Sequence, residues 1–271
     1  MAVGMKWIGK ALGAFLGAVA AGPVGAAIGL VLGHQYDAYA QGDQEALPPG
    51  EVAGIAERFF RATFRVMGYL AKADGRVTPL EIAAARAVMA ELRLTPAQVQ
   101  EAIACFTAGK QPYFDVGTEL SALRQACRGR PDLMRVFLEI QVRAALAGNN
   151  LEGPVRPLLN QVAARLQVSA LELAHMEAVL RIQRGSFNAG ARPAGAATRG
   201  ADLAEAYKVL EAEPGASDEQ IVKSYRRQLS RHHPDKLKAN GLPESMLAHA
   251  KQRTQQIIEA YELIRARRGM S

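Results

Sequence analysis

Apolar and polar positions follow three different patterns along this chain. The first is a stretch with no alternation at all: from Ala11 to Leu32, "ALGAFLGAVAAGPVGAAIGLVL" carries no charged residue. As a helix, these 22 residues span roughly 33 Å, the thickness of a bilayer's hydrocarbon core. Gly9, Gly13, Gly17, Gly25, Gly29 and Gly33 recur at every fourth position, with Ala21 filling the gap and Pro23 placed to kink the helix. A stripe of small residues lets two lipid-embedded helices approach closely. The pattern therefore predicts one membrane-spanning helix over 11–33, self-associating through Gly13, Gly17, Gly25 and Gly29. Two other readings compete. Lys6, Lys10, the apolar run and Ala38-Tyr39-Ala40 have the order of a signal peptide, although the run is long for one and the small-x-small site lies well past its end. An Ala/Gly helix that never inserts is the other. Lys6 and Lys10 precede the span, while Asp37, Asp43, Glu45 and Glu51 follow it. By the positive-inside rule, this charge bias keeps the amino terminus in the cytoplasm.

After a linker over 34–50, the spacing changes to the 3.6-residue period of amphipathic helices. A helical domain over 51–184 opens with Ile55, Phe59, Phe60, Phe64, Met67 and Leu70 on one face. Further helices are predicted at 79–92, 96–108, 116–128, 132–147, 155–167 and 170–182, and no strand-length alternation stands out. A repeat appears at a shift of 74 residues: Val77 with Leu151, Val88 with Val162, Leu92 with Leu166, Leu94 with Val168, Thr95 with Ser169 and Val99 with Leu173. Thr95 and Ser169 are expected helix N-caps. The two copies of one helix–turn–helix unit are expected to pack about a pseudo-twofold axis. The loop "ADGRVTPLE" holds Asp74 and Glu81, weak candidates for a metal site. It resembles the TerB-like fold, in which, the resemblance implies, two acidic loops face each other. In the second copy Gly148 and Val155 stand at the matching positions, and one half-site offers a hard cation too few oxygens. The favoured reading is structural: Gly75 makes the turn and Glu81 supports the helix start. A protein-interaction or residual metal site is the alternative.

Residues 185–200 are Gly/Ala/Pro-rich and read as a flexible tether. A compact module then covers 201–271. Leu203, Ala206, Tyr207 and Leu210 form a short helix, broken by Pro214 and Gly215. Ser217 and Gln220 make a capping box for a second helix that buries Ile221, Tyr225 and Leu229. Lys223, Arg226, Arg227 and Arg231 form its basic surface. Pro234 ends it, Pro243 opens a third, and Leu247, Ala250, Thr254, Ile258 and Tyr261 are its expected buried row. The joining segment is "HHPDK", His232 to Lys236. It has too few ligands near it for zinc and no nucleophile in a pocket for a catalytic pair. A structural loop or a surface that a partner reads remains, the latter favoured.

Composition narrows the classes. Hydrophobic residues make up 49% and aromatic residues 6%, and the net charge is +7 with both signs interspersed. This suits a helical protein better than a dedicated nucleic-acid binder. Cys105 and Cys127 cannot build a disulfide framework and read as buried thiols. No Walker-type phosphate loop is found, and no cofactor is expected.

The stretches "AYKVLEAEPGASDEQIVKSYRRQLSRHHPDK" and "AKQRTQQIIEAYELI" closely resemble the J domain of DnaJ-type co-chaperones. The insert "KLKANGLPESMLAHAKQRTQ" and the order of segments resemble the membrane-anchored members that join a TerB-like domain to a terminal J domain. The Gly/Phe-rich and zinc-binding regions of classical DnaJ are absent. The resemblance implies an all-α fold: a single transmembrane helix, a TerB-like helical domain with an internal duplication, and a J-domain helical hairpin. It implies a non-enzymatic co-chaperone whose His233, Pro234, Asp235, Lys236, Lys223, Arg226 and Arg227 engage a DnaK-type chaperone and stimulate its ATP hydrolysis. The other partners expected are membrane lipid and a second copy of the chain. Because such a chaperone needs ATP, the carboxyl end belongs in the cytoplasm of a bacterium, at the inner membrane, with a short periplasmic amino terminus. That conflicts with the local charge bias. Envelope stress is the setting the resemblance suggests. The alternative is a membrane-associated scaffold acting mainly through the TerB-like domain.

Overall fold

The computed structural model describes the backbone of residues 47–188 and 196–270. The expected membrane helix with Gly13, Gly17, Gly25 and Gly29 lies outside them. Among the described residues there is no strand, and no helix is long and apolar enough to cross a membrane.

Helix α1 (Pro49–Ala71) starts with proline in its first turn, where a missing N–H costs nothing, and with Glu51 near the positive end of its dipole. Its expected stripe of Ile55, Phe59, Phe60, Phe64, Met67 and Leu70 is buried throughout. There follow α2 (Pro79–Glu91), α3 (Pro96–Gly109), α4 (Val116–Ala126), α5 (Pro131–Asn149), α6 (Val155–Arg165) and α7 (Ala170–Asn188). Helix α1 packs on α3, α4 and α5, while α2 and α7 lie against α5. Helix α5 is central: Leu133, Val136, Phe137, Leu138 and Val142 expose nothing, and Phe137 meets Phe59 edge-on at 5.8 Å. Two glycines bring α1 and α3 into backbone contact. A Cβ on Gly68 would fall 2.1 Å from the Phe106 carbonyl oxygen, and one on Gly109 would fall 1.8 Å from that of Arg65.

The duplication extends to backbone detail. Thr95 with Gln98 and Ser169 with Glu172 each exchange the two hydrogen bonds of a capping box; Thr78 with Glu81 does so too, whereas Pro154 at the matching helix start makes no side-chain cap. Helices α2 and α6 end alike. Arg93 and Gln167 take positive φ of 51° and 60°, and the next amides, Leu94 and Val168, donate back to the carbonyls of Met89 and Ala163. This is the left-handed helix terminus that glycine usually occupies. Here both copies accept a side chain in that conformation.

The carboxyl-terminal module consists of α8 (Ala196–Val209), α9 (Asp218–His232), α10 (Pro234–Ala239), a 3-10 turn (Glu244–Met246) and α11 (Leu247–Arg268). Helices α8 and α9 both pack on α11. Tyr207, Leu210, Ile221, Tyr225, Ile257, Ala260 and Ile264 form its core, joined by Val179 from α7. Arg268 donates to the Tyr207 hydroxyl at 2.6 Å and to the Ala216 carbonyl at 2.7 Å, closing the carboxyl end onto the module.

Three expectations change. The segment expected to be a tether, 185–200, is helical at both ends, since α7 runs to Asn188 and α8 begins at Ala196; residues 189–195 lie outside the described ones. The buried row of α11 is His249, Ala250, Arg253, Ile257, Ala260 and Ile264, whereas Thr254, Ile258 and Tyr261 are only half-buried. The phase shifts because two polar residues face inward, and apolar periodicity cannot count them. Leu229 is likewise half-buried.

Candidate docking site

Ser217 caps α9 by accepting from the Gln220 amide, and Ile221, Tyr225 and Gln228 turn one face of α9 inward. That leaves Lys223, Arg226 and Arg227 exposed on the outer faces. Arg227 is 3.5 Å, and Arg231 3.2 Å, from Glu211, so one carboxylate at the end of α8 bridges both. Glu211 holds a positive φ of 52°.

The tripeptide that ends α9 is not an open loop, as expected, but a tight corner between two helices. His233 is at once the last cap of α9 and the N-cap of α10. Its Nδ1 accepts the Asp235 amide at 3.3 Å. Pro234 takes the first position of α10, where its fixed φ suits a helix start. Asp235 follows in the first turn and is exposed, while His233 and Pro234 are half-buried. Burial lowers the pKa of His233, against the pull of Asp235. Thr254 of α11 donates to the His232 carbonyl at 2.9 Å, fixing the chain just before the corner.

Behind the corner lies a second layer from the middle domain, which little in the local pattern foretells. Lys236 pairs with Asp132 of α5 at 2.9 Å. Glu139, also on α5 and 3% exposed, lies 3.6 Å from His249 and 3.8 Å from Arg253 of α11. Burial alone would raise the Glu139 pKa. The neighbouring His249 and Arg253 outweigh it and hold the group well below 4.5. His232 is buried beside them, and desolvation pushes its pKa down from 6.5 to about 4. A small cavity of about 40 Å³ adjoins this cluster, lined by Arg135, Arg231 and Arg253 and by Glu139, Glu172 and Glu211. The signs balance, and each guanidinium has a carboxylate within 4 Å. The signal available for Glu139 was a carboxylate inside the apolar run "VFLEIQV".

The other candidate residues do not join this site. Asp74 is exposed and accepts from the Arg76 amide at 3.3 Å. Glu81 is buried, and its carboxylate accepts from the amide and the hydroxyl of Thr78. Among the described residues no group of three or more His, Cys, Asp or Glu side chains is placed to hold a metal ion.

Comparison with known proteins covers nearly the whole chain. Residues 5–55 match the co-chaperone DjlA transmembrane domain, residues 60–178 match tellurite resistance protein TerB, and residues 205–268 match the DnaJ domain. Among curated proteins, the chain is 45% identical to co-chaperone protein DjlA of Coxiella burnetii, covering 98% of this chain and all of the relative. It is 40% identical to that of Photobacterium profundum over 96% of this chain and 99% of the relative. The match to the Legionella pneumophila protein is 34%, over 97% and 96% respectively. No solved structure matches the chain significantly.

Proposed function

The chain belongs to the DjlA family of co-chaperones, and from that premise we propose that its J domain docks on a DnaK-type chaperone and accelerates that partner's ATP hydrolysis. The observation that carries this reading is the corner itself: His233, Pro234 and Asp235 project at the end of a helix whose Lys223, Arg226 and Arg227 face outward. Three exposed cations on one helix attract an acidic surface and speed encounter, and the complex they support weakens with salt. Pro234 fixes one backbone angle before binding, which lowers the entropy lost on docking. Asp235 offers a carboxylate acceptor for a charge-assisted hydrogen bond. Lys236, expected to join them, is engaged by Asp132 of the middle domain and contributes to docking only as far as that pair opens. Hydrolysis takes place in the partner, so this chain is an activator rather than an enzyme.

The match of residues 5–55 to a transmembrane domain supports anchoring through the amino-terminal segment. We place the carboxyl-terminal domains in the cytoplasm of the inner membrane, because the partner needs ATP. A tail with only Lys6 and Lys10 can be translocated against the charge rule, which is a tendency. A carboxyl-terminal reporter fusion active only in the periplasm would refute this placement. Pairing of two anchors along Gly13, Gly17, Gly25 and Gly29 completes the proposal. Replacing Gly17 and Gly25 with Leu should abolish association in a membrane two-hybrid assay, and unchanged association would exclude it. The central test is ATPase stimulation. His233→Gln is expected to abolish stimulation of a bacterial DnaK-type chaperone while leaving helicity intact, and undiminished stimulation would overturn the reading.

A further inference from the structure

We infer that residues 237–247 are an intramolecular docking element, through which the TerB-like domain holds the His233-Pro234-Asp235 corner in the form its partner reads. This rests on the function proposed above and goes beyond it, because it makes Asp132, Ile55 and Glu139 of the middle domain positioning residues for the J domain.

Helix α10 has six residues and one buried side chain, Leu237. Leu237 is fully buried, and it belongs to the apolar cluster that holds the core of the middle domain, not to the J-domain core. A helix this short has no stability of its own in water. The corner that forms its first turn therefore owes its order to what α10 packs on: α9 and α11 of its own module, and the cluster that Leu237 joins. Leu242, Met246, Leu247 and Ala250 are buried in the same cluster. Gly241, at φ +98°, lies so close to α1 that a Cβ there would stand 2.5 Å from Cγ2 of Ile55. Polar contacts fix both flanks: the ion pair of Lys236 with Asp132 just after the tripeptide, and Glu139 facing Arg253 and His249 of the helix whose Thr254 holds the His232 carbonyl. Asp235 and the cations of α9 remain exposed. The contact thus orders the corner from behind without covering its face, which separates a positioning role from a latch.

The test uses the full chain in detergent micelles with Gly241→Ala, Asp132→Asn and Asp132→Glu. Amide hydrogen exchange over 233–242 reports order, and titration against the chaperone's ATPase reports function. Gly241→Ala is expected to speed exchange at Leu237, Asn240 and Leu242. It should raise the half-saturating concentration roughly tenfold, about what ordering one residue's backbone is worth, while the rate at saturation is kept. Asp132→Asn should do the same to a smaller extent with the overall fold unstrained, and Asp132→Glu should restore wild-type behaviour. The inference is overturned if exchange stays unchanged in both disruptive variants, if exchange speeds up with no shift in half-saturation, or if half-saturation falls, as release of a latch requires. A wild-type chain giving no stimulation would overturn the proposed function, and the exchange arm would still decide the docking.

Discussion

Replacing Glu139 with Gln tests whether the two domains are joined by a closed, dehydrated ionic contact. The carboxylate is 3% exposed as a residue, and the Arg253 side chain it faces at 3.8 Å is 9% exposed. Glutamine keeps the shape and removes the charge. It leaves a guanidinium buried against a neutral amide. Breaking a buried pair from one side costs about 3–5 kcal/mol. At 3.8 Å the pair is longer than a hydrogen bond, so the lower end, about 3 kcal/mol, is expected. For a chain of this size each kcal/mol shifts Tm by roughly 2–4 °C, so a melt followed by circular dichroism should drop by about 10 °C. Removing the guanidinium together with the carboxylate, Glu139→Met with Arg253→Met, should recover most of the loss, because Arg253 is then no longer buried without its carboxylate. A Glu139→Gln loss below about 1 kcal/mol, with no recovery in the double variant, would show that water reaches the pair and that the domains part readily.

Three further outcomes are expected. Burial holds the His232 pKa near 4, so the unfolded chain binds the extra proton between about pH 6.5 and 4. Stability is then full above that window and falls by about 3 kcal/mol as pH drops through it; His232→Gln should flatten urea midpoints across that range, and an unchanged slope would assign the effect elsewhere. Gly109→Ala gains helix propensity of about 1 kcal/mol but forces a Cβ against the Arg65 carbonyl, so a net loss of about 2 kcal/mol in chemical denaturation is expected, and a neutral result would mean that α1 and α3 can separate at no cost. Cys127 is buried and its thiol pKa is pushed up to about 12, while that of Cys105 is also raised; neither should react with iodoacetamide at pH 8 until the chain unfolds, and rapid native-state labelling would contradict the packing.

The helices of the middle domain were legible because local signals agree there. Ile55 to Leu70 repeat at the helical period, and Thr78, Thr95, Ser169 and Ser217 each stand three residues before a Glu or Gln. The J module was legible because its tripeptide, basic helix and tyrosines occur together. The contact between the modules was not legible. Leu237, Leu242 and Met246 sit among Lys, Gly and Pro and carry no period, so they read as loop. They are buried in a cluster otherwise built from the middle domain, far off along the chain, and no local window contains that partner. His249 and Arg253 misled for a related reason. They face inward toward Glu139 of the other domain, which is far off along the chain. Asp74 and Glu81 stayed weak candidates beside the favoured structural reading, because an acidic turn and a capping box use the same residue types as a metal site.

The exchange of apolar anchors between the modules bears on how freely such chains can be recombined. Val179 of α7 sits in the J-domain core, and Leu237, Leu242 and Met246 of the J module sit in the core of the middle domain. A J module transplanted here without the 237–247 insert would leave a furrow over Ile55. The same module moved to another host would carry an apolar underside with nothing to cover it. Chimeras should therefore be cut before Leu47 or kept whole. In an alignment of descendants, substitutions at Ile55, Asp132 and Glu139 are expected to travel with those at Gly241, Lys236 and Arg253.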